Sequence, residues 1–164
     1  DLRDEDCTSI GEGRTGGMLA CAVDCAAWDT LGCLGPAPTG AVTGVLGAGP
    51  AFPCDSTVVA RDCTGTVFFG VLAGNPMTSP DQLPVASVIL ADRAVSGDAT
   101  VAFTLPEVPV GSWYLSAFMD DNDSASAMET GPDSGDPVAF TSSPFEVVEG
   151  ETSTVDLAFV LRLP

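Results

Sequence analysis

Ser153-Thr154-Val155-Asp156-Leu157-Ala158-Phe159-Val160-Leu161-Arg162-Leu163 is the stretch whose reading decides the fold. Val155, Leu157, Phe159, Leu161 and Leu163 fall on one side of an extended chain. Thr154, Asp156, Ala158 and Arg162 fall on the other. A period of two predicts a half-buried β-strand. Ala99, Val101, Phe103 and Leu105 repeat the device.

Working outward, further strands are expected at Ala41–Leu46, Thr57–Arg61, Thr66–Ala73, Pro84–Leu90, Ala99–Leu105, Ser112–Met119, and Val138–Thr141 with Phe145–Val148. Turn-rich stretches such as Ala73-Gly74-Asn75-Pro76 and Val95-Ser96-Gly97-Asp98 separate them. Seven or eight short strands, with no helix-length periodicity, predict an all-β chain folded as a β-sandwich with Greek-key connections. At 164 residues the chain has room for one core and a small appendage.

Residues 1–35 are of another kind. They hold Cys7, Cys21, Cys25 and Cys33, many glycines and little periodicity. A segment this short cannot fold on apolar contacts alone, so a disulfide-stapled N-terminal module is expected. Cys7–Cys21 with Cys25–Cys33 is the preferred pairing; four cysteines allow three pairings, and the other two stay open. Residues 36–40 read as a connector and 41–164 as the sandwich domain. Cys54 and Cys63 are placed to close a local loop in that domain. An even cysteine count, without paired C-x2-C knuckles or any His for zinc, points to disulfides and an oxidising compartment. The chain opens at Asp1 with neither Met nor an apolar leader, as a processed secreted protein would. No apolar run is long enough to span a bilayer as a helix. An extracellular or cell-surface location is the expectation.

Five Lys+Arg stand against 23 Asp+Glu, a formal net charge of −18, and there is no His. All five cations are arginines. Phosphate-rich partners need Lys and Arg, so nucleic acid is disfavoured. The missing His and Lys remove Ser-His-Asp, Cys-His and Schiff-base chemistry. A carboxylate pair such as Asp121 with Asp133 lacks an apolar pocket to raise one pKa, and no enzymatic activity is expected. Yet 45% of residues are hydrophobic, so this is no disordered acidic tail.

The acidity concentrates in one place. Asp120-Asp121-Asn122-Asp123, then Glu129, Asp133 and Asp136, follow a predicted core strand, and the segment contains no Lys or Arg. Crowded carboxylates repel unless something positive lies among them, and Ca²⁺ takes six to eight oxygens from such loops. The expected ligands are Asp120, Asp121, Asn122, Asp123, Asp133 and Asp136, with Asp133 and Asp136 folding back over the 120–123 turn. Position 6 from Asp120 is Ala125 and position 12 is Gly131, so the EF-hand pattern fails. A solvated loop facing water is the alternative.

Two resemblances add to this. Thr104-Leu105-Pro106-Glu107-Val108-Pro109-Val110-Gly111-Ser112-Trp113-Tyr114-Leu115 resembles the F-x-L-x-x-V-P-x-G-x-Y hairpin of carboxypeptidase-regulatory-like and prealbumin-type sandwiches. Ala117-Phe118-Met119-Asp120-Asp121-Asn122 is similar to the A-F-x-D-x-N segment of secreted Ig-like domains that hold calcium. Together they imply an Ig-like, prealbumin-type sandwich with a calcium loop. At the N-terminus, Cys7-x3-Gly11 and Gly16-Gly17-Met18-Leu19-Ala20-Cys21-x3-Cys25-x3-Asp29-Thr30-x2-Cys33 resembles the Cys-rich repeats of myxobacterial surface proteins. That resemblance implies a cell-surface setting.

The expected function is a non-catalytic structural subunit of a surface fibre, coat or adhesive appendage. It would self-associate or join other surface proteins, with the final strand or the N-terminal arm donated by strand addition. The alternative is a calcium-dependent binding module for carbohydrate or protein. That module would need exposed aromatics near the acidic loop, where only Phe118, Met128 and Phe140 are at hand.

Overall fold

The computed structural model describes residues 16–17, 20–21, 28–29, 33–34, 37–50, 52, 54, 63–96, 98–121 and 131–163. Two compact units divide the chain, Asp1–Pro38 and Thr39–Pro164. In the first, β1 (Gly16–Gly17) pairs antiparallel with β4 (Cys33–Leu34), and β2 (Ala20–Cys21) with β3 (Trp28–Asp29). Gly17 stands opposite Cys33 and Cys21 opposite Trp28. Cys7 and Cys25 lie outside the described residues.

The second unit is all-β, with no helix among the described residues. Its strands are β5 (Thr39–Gly47), β6 (Thr64–Leu72), β7 (Ala86–Ala94), β8 (Val101–Pro109), β9 (Gly111–Asp120), β10 (Pro137–Phe140), β11 (Phe145–Val147), β12 (Thr152–Thr154), β13 (Leu157–Ala158) and β14 (Leu161–Arg162). One sheet runs β14-β10-β9-β6-β7, with β11 also on β9; the other has β5 between β8 and the pair β12/β13. The strand expected at Thr57–Arg61 lies outside the described residues.

Alternation explains how the sheets meet. Along β8, Val101, Phe103 and Leu105 are buried while Ala102, Thr104 and Pro106 are exposed. On β6, Val67, Phe69 and Val71 are buried while Phe68 and Gly70 between them are half-buried. Phe69 stacks on Phe103 with ring centroids 4.4 Å apart, so the two sheets bury against each other through one core. Fully burying each such side chain stabilises by about 1.5–3 kcal/mol. Cys54 and Cys63 form a disulfide inside this core, closing the loop between β5 and β6.

Two sequence expectations need correction. The Thr104–Leu115 stretch is not a paired hairpin. β8 pairs with β5 and β9 with β6, so the chain turns from one sheet to the other at Val110. The indole Nε1–H of Trp113 donates to Pro109 O at 2.8 Å and ties this corner.

Nor is Ser153–Leu163 one strand. Its first part runs parallel to β5, with Thr152 opposite Ala41 and Leu157 opposite Leu46. Between β12 and β13 the Asp156 carboxylate replaces a ladder carbonyl, accepting the Val45 N–H at 3.0 Å. The irregularity presses the Val155 carbonyl onto Gly44, where a Cβ would sit 1.9 Å from the oxygen. Beyond buried Phe159 the chain crosses over, and β14 pairs with β10 in the other sheet. The final strand therefore packs on its own domain.

A candidate carboxylate centre at the end of β9

Sheet register brings the acidic residues together. Asp120 ends β9 opposite Thr66, and Phe118 stands opposite Val138. Continuing that ladder by two residues sets Asp136, just before β10, beside Asp120. Asp120 is 3% exposed and Asp136 1%. They are the buried charged residues among those described. Gly65, with φ of +154°, makes room: a Cβ there would lie 1.9 Å from Asp120 O.

The turn that carries Asp136 is pinned on both sides. Asp133 N–H donates to Asp136 Oδ2 at 3.0 Å, and Asp136 N–H donates back to Asp133 O at 3.2 Å. Gly135 N–H donates to Leu163 O at 3.0 Å, and Leu163 N–H to Asp136 O at 3.1 Å. Within this fixed turn, Asp136 Oδ1 is buried with no hydrogen-bond partner among the described residues. Burial lifts the Asp136 carboxyl above its ordinary value of 3.8. The Asp133 amide opposes the rise, the Asp133 charge adds to it, the Asp121 amide opposes it and the Asp120 charge adds again.

A cation absent from the acidic segment arrives from the far end of the chain. Pairing of Pro137 with Arg162 places the guanidinium beside the turn. Arg162 Nη1 donates to Asp121 Oδ2 and to Gly135 O. Its guanidinium carbon lies 5.4 Å from the centre of the Phe52 ring, which meets Phe159 edge-on at 6.1 Å. Sequence reasoning sought a counter-charge only within the acidic segment and missed Arg162. Its one signal was a cation among the apolar residues that end the chain's last stretch.

Of the expected ligands, the structure brings Asp120 and Asp136 together. Asp121 is engaged by Arg162, the Asp133 side chain is exposed, and Asn122 and Asp123 lie outside the described residues, as does Glu129. Among the described residues no group of three or more His, Cys, Asp or Glu gathers around one point. Phe118 is buried and stacks on Phe68 with centroids 4.6 Å apart, and Phe140 is half-buried. Neither is a freely exposed platform for a sugar; Met128 lies outside the described residues. Chemically, two adjacent buried carboxylates with one oxygen unsatisfied can share a proton or a cation.

No family model, curated protein or solved structure matches the chain.

Proposed function

We propose that this protein is a non-catalytic extracellular structural subunit, an Ig-like, prealbumin-type β-sandwich stabilised by disulfides and by Ca²⁺ at the end of β9. Asp136 Oδ1, buried beside Asp120 and without a hydrogen-bond partner among the described residues, carries this reading. A buried polar atom left without a partner costs about 1–3 kcal/mol, more when charged. A hard cation offsets that cost and the mutual repulsion of the two carboxylates together.

The donor set fits. Asp120 and Asp136 supply hard carboxylate oxygens, and loop carbonyls and water would complete the six to eight that calcium takes. Asp121 stays with Arg162, so its part is to fix the turn. The bound ion supplies charge neutralisation, and the residues themselves hold β9, β10 and the 133–136 turn in one geometry. The disulfide between Cys54 and Cys63 supports an oxidising, extracytoplasmic setting. Self-association, as expected of a coat or fibre subunit, is the partner chemistry of this reading.

Thermal melting with and without calcium tests it. Saturation at 100 times Kd adds about 2.7 kcal/mol. For a domain of this size that is a shift of several degrees. A melting temperature insensitive to calcium and to EGTA points to a shared proton and removes the metal from the account.

A further inference from the structure

Every long strand at a sheet edge carries a hazard, because its unpaired N–H and C=O groups accept another strand. Among the described residues, β7 pairs only with β6 and β8 only with β5. The other outer strands, β11, β12, β13 and β14, are two or three residues long.

β8 is protected. Pro106 and Pro109 remove donors, and Glu107 at φ 58° sits where the pairing with β5 slips by one residue. β7 is protected only at its far end. Asp92, at φ 52°, bulges the strand and Arg93 follows it. From Ala86 to Ala91 there is no Pro, no Gly and no charge.

The outer face of the same sheet adds a second observation. Cross-strand pairing lines up Leu161, Val138, Phe118, Phe68 and Ile89 in one row. The row ends abruptly at Ile89, which is 56% exposed. Among the described residues no strand lies beyond β7, so the row's next neighbour would come from across that edge.

We infer that the β7 edge is a self-pairing site, where a second copy of this chain docks antiparallel about a two-fold axis through Ile89. Antiparallel partners must share a face, so outward residues meet outward residues. An axis through Ile89 sets Ser87 opposite Ala91, Val88 opposite Leu90 and Ile89 opposite its own counterpart. The apolar row then continues across both copies without a break. The Ser87–Ala91 window contains no charged residue, and Asp92 and Arg93 beyond it carry opposite charges. The overall charge of −18 opposes the approach of two copies, so the pairing is weak and strengthens as salt screens it. This names the partner for the self-association of the proposed function, and it uses none of the carboxylate centre.

Sedimentation velocity over a protein and salt series tests the inference on the full chain. The expected result is a monomer that becomes a dimer with rising concentration, more readily at high salt. Ile89→Lys and Ile89→Glu each set like charges face to face and shift the protein to monomer with unchanged melting temperature. Their equimolar mixture recovers the dimer, because a two-fold axis through Ile89 now pairs Lys with Glu. A monomer under every condition, a dimer indifferent to Ile89→Lys, or a mixture that stays monomeric overturns it. Calcium melts of the Ile89→Lys monomer read the carboxylate centre separately, so the two proposals fail independently.

Discussion

The two ends of β9 lie about ten residues apart and obey different rules. At its start, Gly111 to Trp113, the chain turns a corner between sheets and the indole N–H finds the Pro109 carbonyl. At its end the strand delivers Asp120 into a buried place beside Asp136, whose Oδ1 has no hydrogen-bond partner among the described residues. The first end does only what a fold requires. The second retains a cost that folding alone does not explain, and such residues are where function is sought.

That contrast can be broken or sharpened by substitution. The largest effect is expected at the carboxylate end, from Arg162→Met, which keeps an apolar stem and removes the charge from Asp121 and from the Phe52 ring. Both side chains are about one-fifth exposed, so the loss is about 2 kcal/mol, below that of a fully buried pair. Urea unfolding in EGTA reads it as a lower midpoint at constant slope.

Next comes Asp136→Asn. The folded-state pKa of Asp136 is raised, so its contribution to stability is full below the unfolded value and falls as pH rises through the folded value. Calcium-free protein should therefore lose stability across the mildly acidic range above 3.8. The Asn variant should lack that decline and be the more stable form at neutral pH without calcium. It should also lose any response to the ion. Melting curves across pH decide this, and an unaltered pH profile would remove Asp136 from its role.

At the corner, Trp113→Phe removes one hydrogen bond and leaves the ring. The expected cost is about 1 kcal/mol, with no dependence on calcium or on mild acid. A calcium-dependent effect there would erase the distinction between the two ends.

How much of this was legible beforehand follows from the range of the signals. The period-two run Val101–Leu105 is local, and it marked the inner face of β8 directly. Pairing partners are not local. Nothing near Val155 announces that it will lie parallel to β5, because that requires the first and last strands to meet. Asp156 read as an outward polar residue, yet its carboxylate stands in for a main-chain acceptor and divides the strand. The Thr104–Leu115 motif carried the right turn residues, but turn chemistry is the same whether the strands pair or part between sheets. At the candidate site, the acidic run identified Asp120 and Asp136 from composition. Arg162 lay 41 residues beyond its partner Asp121, and only the β10–β14 register joins them.

Isothermal titration of EGTA-treated protein with Ca²⁺, followed by melting of the same sample, tests the central claim most directly. The account predicts saturable binding that Asp136→Asn abolishes, and a melting temperature several degrees higher in calcium than in EGTA. No heat of binding and identical melts in both buffers would contradict it.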